Sequence, residues 1–204
     1  MEMARASRTA LFLLWTCDAC LRLTVLAVPP VISVIQKELS LSGTAIGILS
    51  GIPVIVFALA ATPGSTLIAH FGVRGTLITG LLIAGLGSAA RGLCASAVDL
   101  YLASSVMSIG IAIMQPTMAA AVRQWVPDRA TFGTAVYTNG LIFGEIIPVA
   151  ITLPLLVPLF GGWRGALGVW SMPLLITGML VAVVRRRGDI TPHASAQPLR
   201  WLPT

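Results

Sequence analysis

Residues 9–35 read TALFLLWTCDACLRLTVLAVPPVISVI, and the fold follows from how that run is understood. It is long enough to cross a bilayer, for which roughly 20 apolar residues suffice. Yet it carries Asp18 and Arg22 in its interior and Pro29-Pro30 near its far end. Ionisable groups at membrane depth are expensive and usually face a protein interior or a water-filled cavity. Four residues apart on a helix, Asp18 and Arg22 lie one turn from each other and within pairing reach. Two readings stand. One is a charged, broken helix lining a polar pathway, where freed backbone groups find partners. The other is an internal ion pair that eases insertion or fixes packing.

The rest of the chain settles the class. Of 204 residues, 56% are hydrophobic and only 10% charged, with a mean hydropathy of +0.93, which excludes an ordinary soluble domain. The net charge of +6 does not mark a nucleic-acid binder, because the basic residues are dispersed between apolar spans. Arg5 and Arg8 precede the first apolar run as they would in a signal peptide. The run continues past Asp18 for a full span, however, so an uncleaved first transmembrane helix is expected. Cys17 and Cys20 form a C-x-x-C inside an apolar helix without a second pair, and His70 and His193 are isolated. These read as small buried residues rather than as a metal or redox centre, and no cofactor is expected. No Ser/His pair, H-E-x-x-H or paired aspartates stand at membrane depth, so the expectation is not an enzyme.

Six spans are expected, at about residues 9–35, 44–68, 76–94, 100–122, 132–160 and 165–184. Residues 1–8 would form a short cytoplasmic N-terminus, 9–184 the six-helix transmembrane domain, and 185–204 a cytoplasmic basic, Pro-containing tail or a truncated linker. With the N-terminus inside, the inner segments hold Arg5, Arg8, Arg74, Arg123, Arg129, Arg185, Arg186 and Arg187. The outer ones hold Lys37, Arg91 and Arg164, eight against three. The positive-inside rule then puts both termini in the cytoplasm of a multi-pass inner-membrane protein. Gly43, Gly47 and Gly51 on the second span, and Gly140 and Gly144 on the fifth, have the spacing that lets helices approach closely.

Glu145 is the other membrane-depth acid, near the middle of its span as Arg22 is near the middle of its own. The two are expected to lie at similar depth and converge with Asp18, two acids and one base. Either the group holds a solute or a proton, or Glu145 only neutralises Arg22. Gln115, Asn139 and Tyr137 are further polar candidates for contacting a solute, and each is also an ordinary packing residue.

The layout resembles half of a major facilitator superfamily transporter, and more specifically the cyanate/nitroimidazole transporter family. The pieces that carry the resemblance are CLRLTVLAVPPVI (20–32), LSLSGTAIGILSGIPVIVFALAA (39–61) and AHFGVRGTLITGLLIAGLGSAARG (69–92). QPTMAAAVRQWVPDRATFGTAVYTNGLIFG (115–144) and GGWRGALGVW (161–170) complete them. The family's Asn-Leu-Arg reads Cys20-Leu21-Arg22 here, keeping the arginine, so the resemblance implies Arg22 as an anion contact. Other positions depart from the superfamily's patterns. Ala69 and His70 stand where an Asp and an Arg usually precede the loop glycine. Val106 sits near the place of a span-four arginine, and the Gly-Pro of antiporters reads Gly144-Glu145. What the resemblance implies is a six-helix, all-α half of a secondary transporter for a small anion or small polar organic solute. It would work by alternating access, paired with a second six-helix half or with itself. The alternative is a non-transporting partner subunit or relic of a split transporter.

Overall fold

The computed structural model describes residues 2–60 and 63–184, with side chains at 8–59 and 66–184. The expected tail, including Arg185 to Arg187 and His193, lies outside the described residues. The described residues are helical almost throughout: α1 (Glu2–Leu26), α2 (Ile32–Leu39), α3 (Gly43–Ala60), α4 (Pro63–Arg91), α5 (Ala97–Trp125), α6 (Ala130–Ile151), α7 (Val157–Leu159), α8 (Trp163–Val169) and α9 (Ser171–Val183). A 3-10 turn, Pro29–Val31, joins α1 to α2, and a π-helical segment, Thr152–Leu156, joins α6 to α7.

Among the described residues, five helical stretches are long and apolar enough to cross a bilayer: Arg8–Leu39, Thr66–Arg91, Ala97–Trp125, Pro127–Leu159 and Trp163–Val183. The expected second span lies in a sixth apolar helix, whose far end comes before residue 68. The apolar helix there, Gly43–Leu59, is shorter than the other five. Residues 66–68, assigned by sequence to that span, belong instead to α4. The turn expected at Gly72 is present. Gly72 has φ 68° and ψ 170°, a conformation essentially restricted to glycine, and it breaks α4 into two arms.

Local chemistry explains where the helices start and stop. α1 ends because Pro29 and Pro30 lack the N–H groups that the carbonyls of Val25 and Leu26 would need. α2 ends at Ser40, in the left-handed conformation at φ 50°. α5 starts on a capping box: Asp99 N donates to Ser96 Oγ at 3.2 Å, and Ser96 N donates to Asp99 Oδ2 at 2.9 Å. At the other end of the bundle, Arg74 Nε and Nη2 donate to the carbonyls of Val181 and Ala182 at 2.9 and 2.7 Å. This satisfies the last turn of α9.

Lipid is as apolar as leucine, so burial of aliphatic surface does little to hold such helices together, and close backbone approach does more. Small residues make that approach along two seams. Between α4 and α5, a Cβ added to Gly87 would lie 2.4 Å from Met107 N, and one on Gly110 2.4 Å from Ala84 N. Between α1 and α6, a Cβ on Gly140 would lie 2.3 Å from the Trp15 carbonyl oxygen, and one on Gly144 2.2 Å from that of Ala19. The buried residues of α6 are Gly133, Gly140, Gly144 and Pro148, a single stripe, so α6 meets the bundle along that one line. By contrast, Gly43, Gly47 and Gly51 have nothing within 4 Å of a would-be Cβ. Their expected packing role is not played inside this bundle, because α3 meets α5 on another face, with Tyr101 Oη donating to the Ala45 carbonyl at 3.1 Å.

A candidate polar site between α1 and α6

The seam between α1 and α6 sets the register of everything polar nearby. Trp15 meets Gly140 and Ala19 meets Gly144, so both helices run the same way with an offset of 125 residues. Continuing upward, Arg22 reaches Glu145, with Arg22 Nε 3.6 Å from Glu145 Oε1. The two side chains are 30% and 40% exposed, although both stand near the midpoints of their apolar stretches. Arg22 Nε makes no hydrogen bond, so the pair is held by charge rather than by a shared proton.

Asp18 does not close onto Arg22 as its spacing allows. Arg22 instead turns across the seam to α6, and Asp18 Oδ2, in a residue only 3% exposed, has no hydrogen-bond partner. Asp18 lies one helical turn before Arg22 on α1, and Glu145 meets that arginine from α6.

The other candidates divide by flank. Successive helical residues are about 100° apart, so positions just before the contacting glycines and just after them lie on opposite sides of the seam. Glu145 follows Gly144 and faces the Arg22 side. Asn139 precedes Gly140, and its Oδ1 accepts from Trp15 Nε1 at 3.0 Å. Phe143 precedes Gly144, and its ring lies 5.7 Å from that of Trp15. The structure therefore does not bring Asn139 to Arg22. Tyr137 is on the Glu145 side, partly buried against the core and eight residues, roughly 12 Å of helix, below Glu145. Gln115 lines a separate cavity of about 290 Å³ with Phe57, Ala112 and Pro116, between α3 and α5.

Cys17 and Cys20 are buried thiols, and Cys20 Sγ lies 3.4 Å from Thr177 Oγ1 of α9. This fits their reading as small buried residues. Arg91 needs a larger revision. Counted from sequence as an outer-loop cation, it is 1% exposed at the end of α4, and its Nη2 donates to the Thr24 carbonyl of α1 at 2.8 Å. Its setting among Ser88, Ala89, Ala90 and Gly92 was the available signal, since small neighbours let a long side chain fold back into a seam. Arg164, counted with it, does stand at the rim. Its Nε donates to the Cys94 carbonyl at 2.6 Å, its Nη1 pairs with Glu38, and its guanidinium covers the Trp163 ring at 4.4 Å.

Comparison with known proteins adds the family context. A family model described as Major Facilitator Superfamily matches residues 14–202. The chain is similar to the uncharacterized transporter YycB of Bacillus subtilis, 27% identical over 167 residues, which are 82% of this chain and 41% of the relative. It is also similar to the cyanate transport protein CynX of Escherichia coli, 24% identical over 74% of this chain and 39% of the relative. A third relative is the 2-nitroimidazole transporter of Escherichia coli, 27% identical over 72% of this chain and 37% of the relative. The chain thus spans about two-fifths of the length of each curated relative it matches.

Proposed function

The chain belongs to the major facilitator superfamily, and from that premise we propose that it is the six-helix half of a secondary transporter whose solute meets Arg22. The observation that carries this reading is the half-exposed Arg22–Glu145 pair at bilayer depth. Charged groups so placed are costly against lipid and are accommodated when they face a watery cavity. The solute is a small anion or small polar organic molecule, the class to which the relatives' names, cyanate and 2-nitroimidazole, belong. The guanidinium offers a planar fork of donors suited to an oxyanion, and an incoming anion competes with Glu145 for it. Asp18, enclosed beside the pair, is the group assigned to hold or release a proton as that competition shifts. Tyr137 borders the same flank, whereas Gln115 and its cavity would serve as a second polar contact from α5.

Alternating access requires a second six-helix unit, supplied by another polypeptide segment or by a second copy of this chain. The unoccupied glycine line on α3 favours a neighbour there. Both termini would face the cytoplasm of the plasma membrane, as the basic-residue count indicates. The test is uptake of cyanate into cells expressing the complete assembly. Arg22→Gln is expected to lower uptake at least tenfold, the order lost with one charge-assisted contact of about 1.5–3 kcal/mol. Unchanged uptake in Arg22→Gln would remove the site assignment.

A further inference from the structure

Two helix breaks, in different parts of the sequence, come together above the polar pair. Pro29–Val31 of the first span packs against the π-helical Thr152–Leu156 of the fifth. Each break begins seven residues beyond its helix's charged residue, from Arg22 to Pro29 and from Glu145 to Thr152. Both therefore start two turns, roughly 10 Å, above the pair. Each has its own anchor on a third element. Arg91 of α4 donates from Nη2 to the Thr24 carbonyl, in the last turn of α1 before the prolines. Trp170, between α8 and α9, donates from Nε1 to Thr152 Oγ1 at 3.0 Å, and that hydroxyl donates in turn to the Pro148 carbonyl. Arg91, Thr24, Thr152 and Trp170 are all buried, so these bonds are made away from bulk water.

π-Helical segments inside α-helices recur at functional places, and sharp helix breaks occur at proline. A pair of them in mutual contact is a natural pivot, because each lacks part of the backbone ladder that would keep it straight. We propose that the two breaks form one joint at the outer side of the polar pair, with Arg91 and Trp170 as its positioning residues. While both anchors hold, α2 and α7 keep their tilt over Arg22 and Glu145. When either anchor lets go, the outer continuations of both spans move together and open the pair to the outer face. The gating role rests on reading that pair as the solute site, whereas the mechanical coupling does not.

The test is amide hydrogen exchange on the purified chain in lipid nanodiscs. Arg91→Gln touches only the first break, and Trp170→Phe removes only the donor at the second while keeping an aromatic ring. Each is expected to speed exchange at both breaks, at Val31–Ile32 and at Leu156–Val157, by roughly tenfold, the order set by one lost buried hydrogen bond. Amides along Gly140–Gly144 should stay as in the wild type, and Arg91→Lys should restore most of the protection. Loosening confined to the break each residue touches, or none at all, overturns the joint. Should Arg91→Gln speed exchange everywhere, Trp170→Phe decides alone, through its effect on Val31 and Ile32. Failure here with uptake still dependent on Arg22 removes the joint and keeps the site; the converse removes the site and keeps the coupled breaks.

Discussion

Gly144→Leu is expected to destabilise the bundle by about 3 kcal/mol, at the upper end of what overpacking costs. The first atom of the new side chain would lie 2.2 Å from the Ala19 carbonyl oxygen, with the Ala19 carbonyl carbon and Cα at 2.9 and 3.0 Å. Those are backbone atoms of α1 and cannot rotate away. Relief requires α1 and α6 to separate along their length, and that separation also pulls Glu145 from Arg22. The matched control is Gly47→Leu. No atom stands within 4 Å of its would-be Cβ, so the same substitution should stay within about 0.5 kcal/mol of wild type. Thermal unfolding of the purified chain in detergent, followed by tryptophan fluorescence, compares the two. Equal melting of both variants would show that glycine contact does not hold the α1–α6 seam.

Trp163→Ala should cost about 3–5 kcal/mol, the range for removing a large buried aromatic. Trp163 is 1% exposed and begins α8. Its Nε1 donates to Glu38 Oε2 at 2.6 Å, and its ring lies under the Arg164 guanidinium. Deleting the indole opens a cavity, leaves Glu38 with Arg164 alone, and removes the surface on which Arg164 rests. Because Arg164 also grips the Cys94 carbonyl, the loss reaches the connection between α4 and α5. Trp163→Phe, which keeps most of the volume and loses the hydrogen bond, should recover more than half of the melting temperature. If alanine and phenylalanine melt alike, the hydrogen bond rather than the packed ring ties α2 to α8.

The sequence carried the class of this molecule because the relevant signals are local. Apolar runs of sufficient length, the Pro29-Pro30 break and the glycine turn at Gly72 are each written within a few residues. The convergence of Arg22 and Glu145 was also legible, since both stand at matching depths of their spans. What the sequence could not supply was rotation about the helix axes. Asn139 and Glu145 look alike as polar residues in one helix, yet they flank opposite sides of the glycine seam. Asp18 has the right spacing to pair with Arg22, but a partner from another helix took the arginine. Arg91 and Arg164 have the same residue type and the same loop-edge position. Packing of α4 against α1 draws the first inside, while the second stays at the rim. The far end of the second span is also written locally: Thr62-Pro63-Gly64-Ser65 interrupts the apolar run within 44–68, and α4 begins at Pro63.

In the proposed site, solute binding depends on the Arg22 flank of the α1–α6 seam and not on the Asn139 flank. Titration of a small oxyanion such as nitrate into the purified chain in nanodiscs, read by calorimetry, tests it most directly. Arg22→Gln is expected to weaken binding by roughly ten- to a hundredfold, while Asn139→Ala stays within about twofold of wild type. Equal binding by Arg22→Gln and the wild-type chain, or a loss confined to Asn139→Ala, would contradict it.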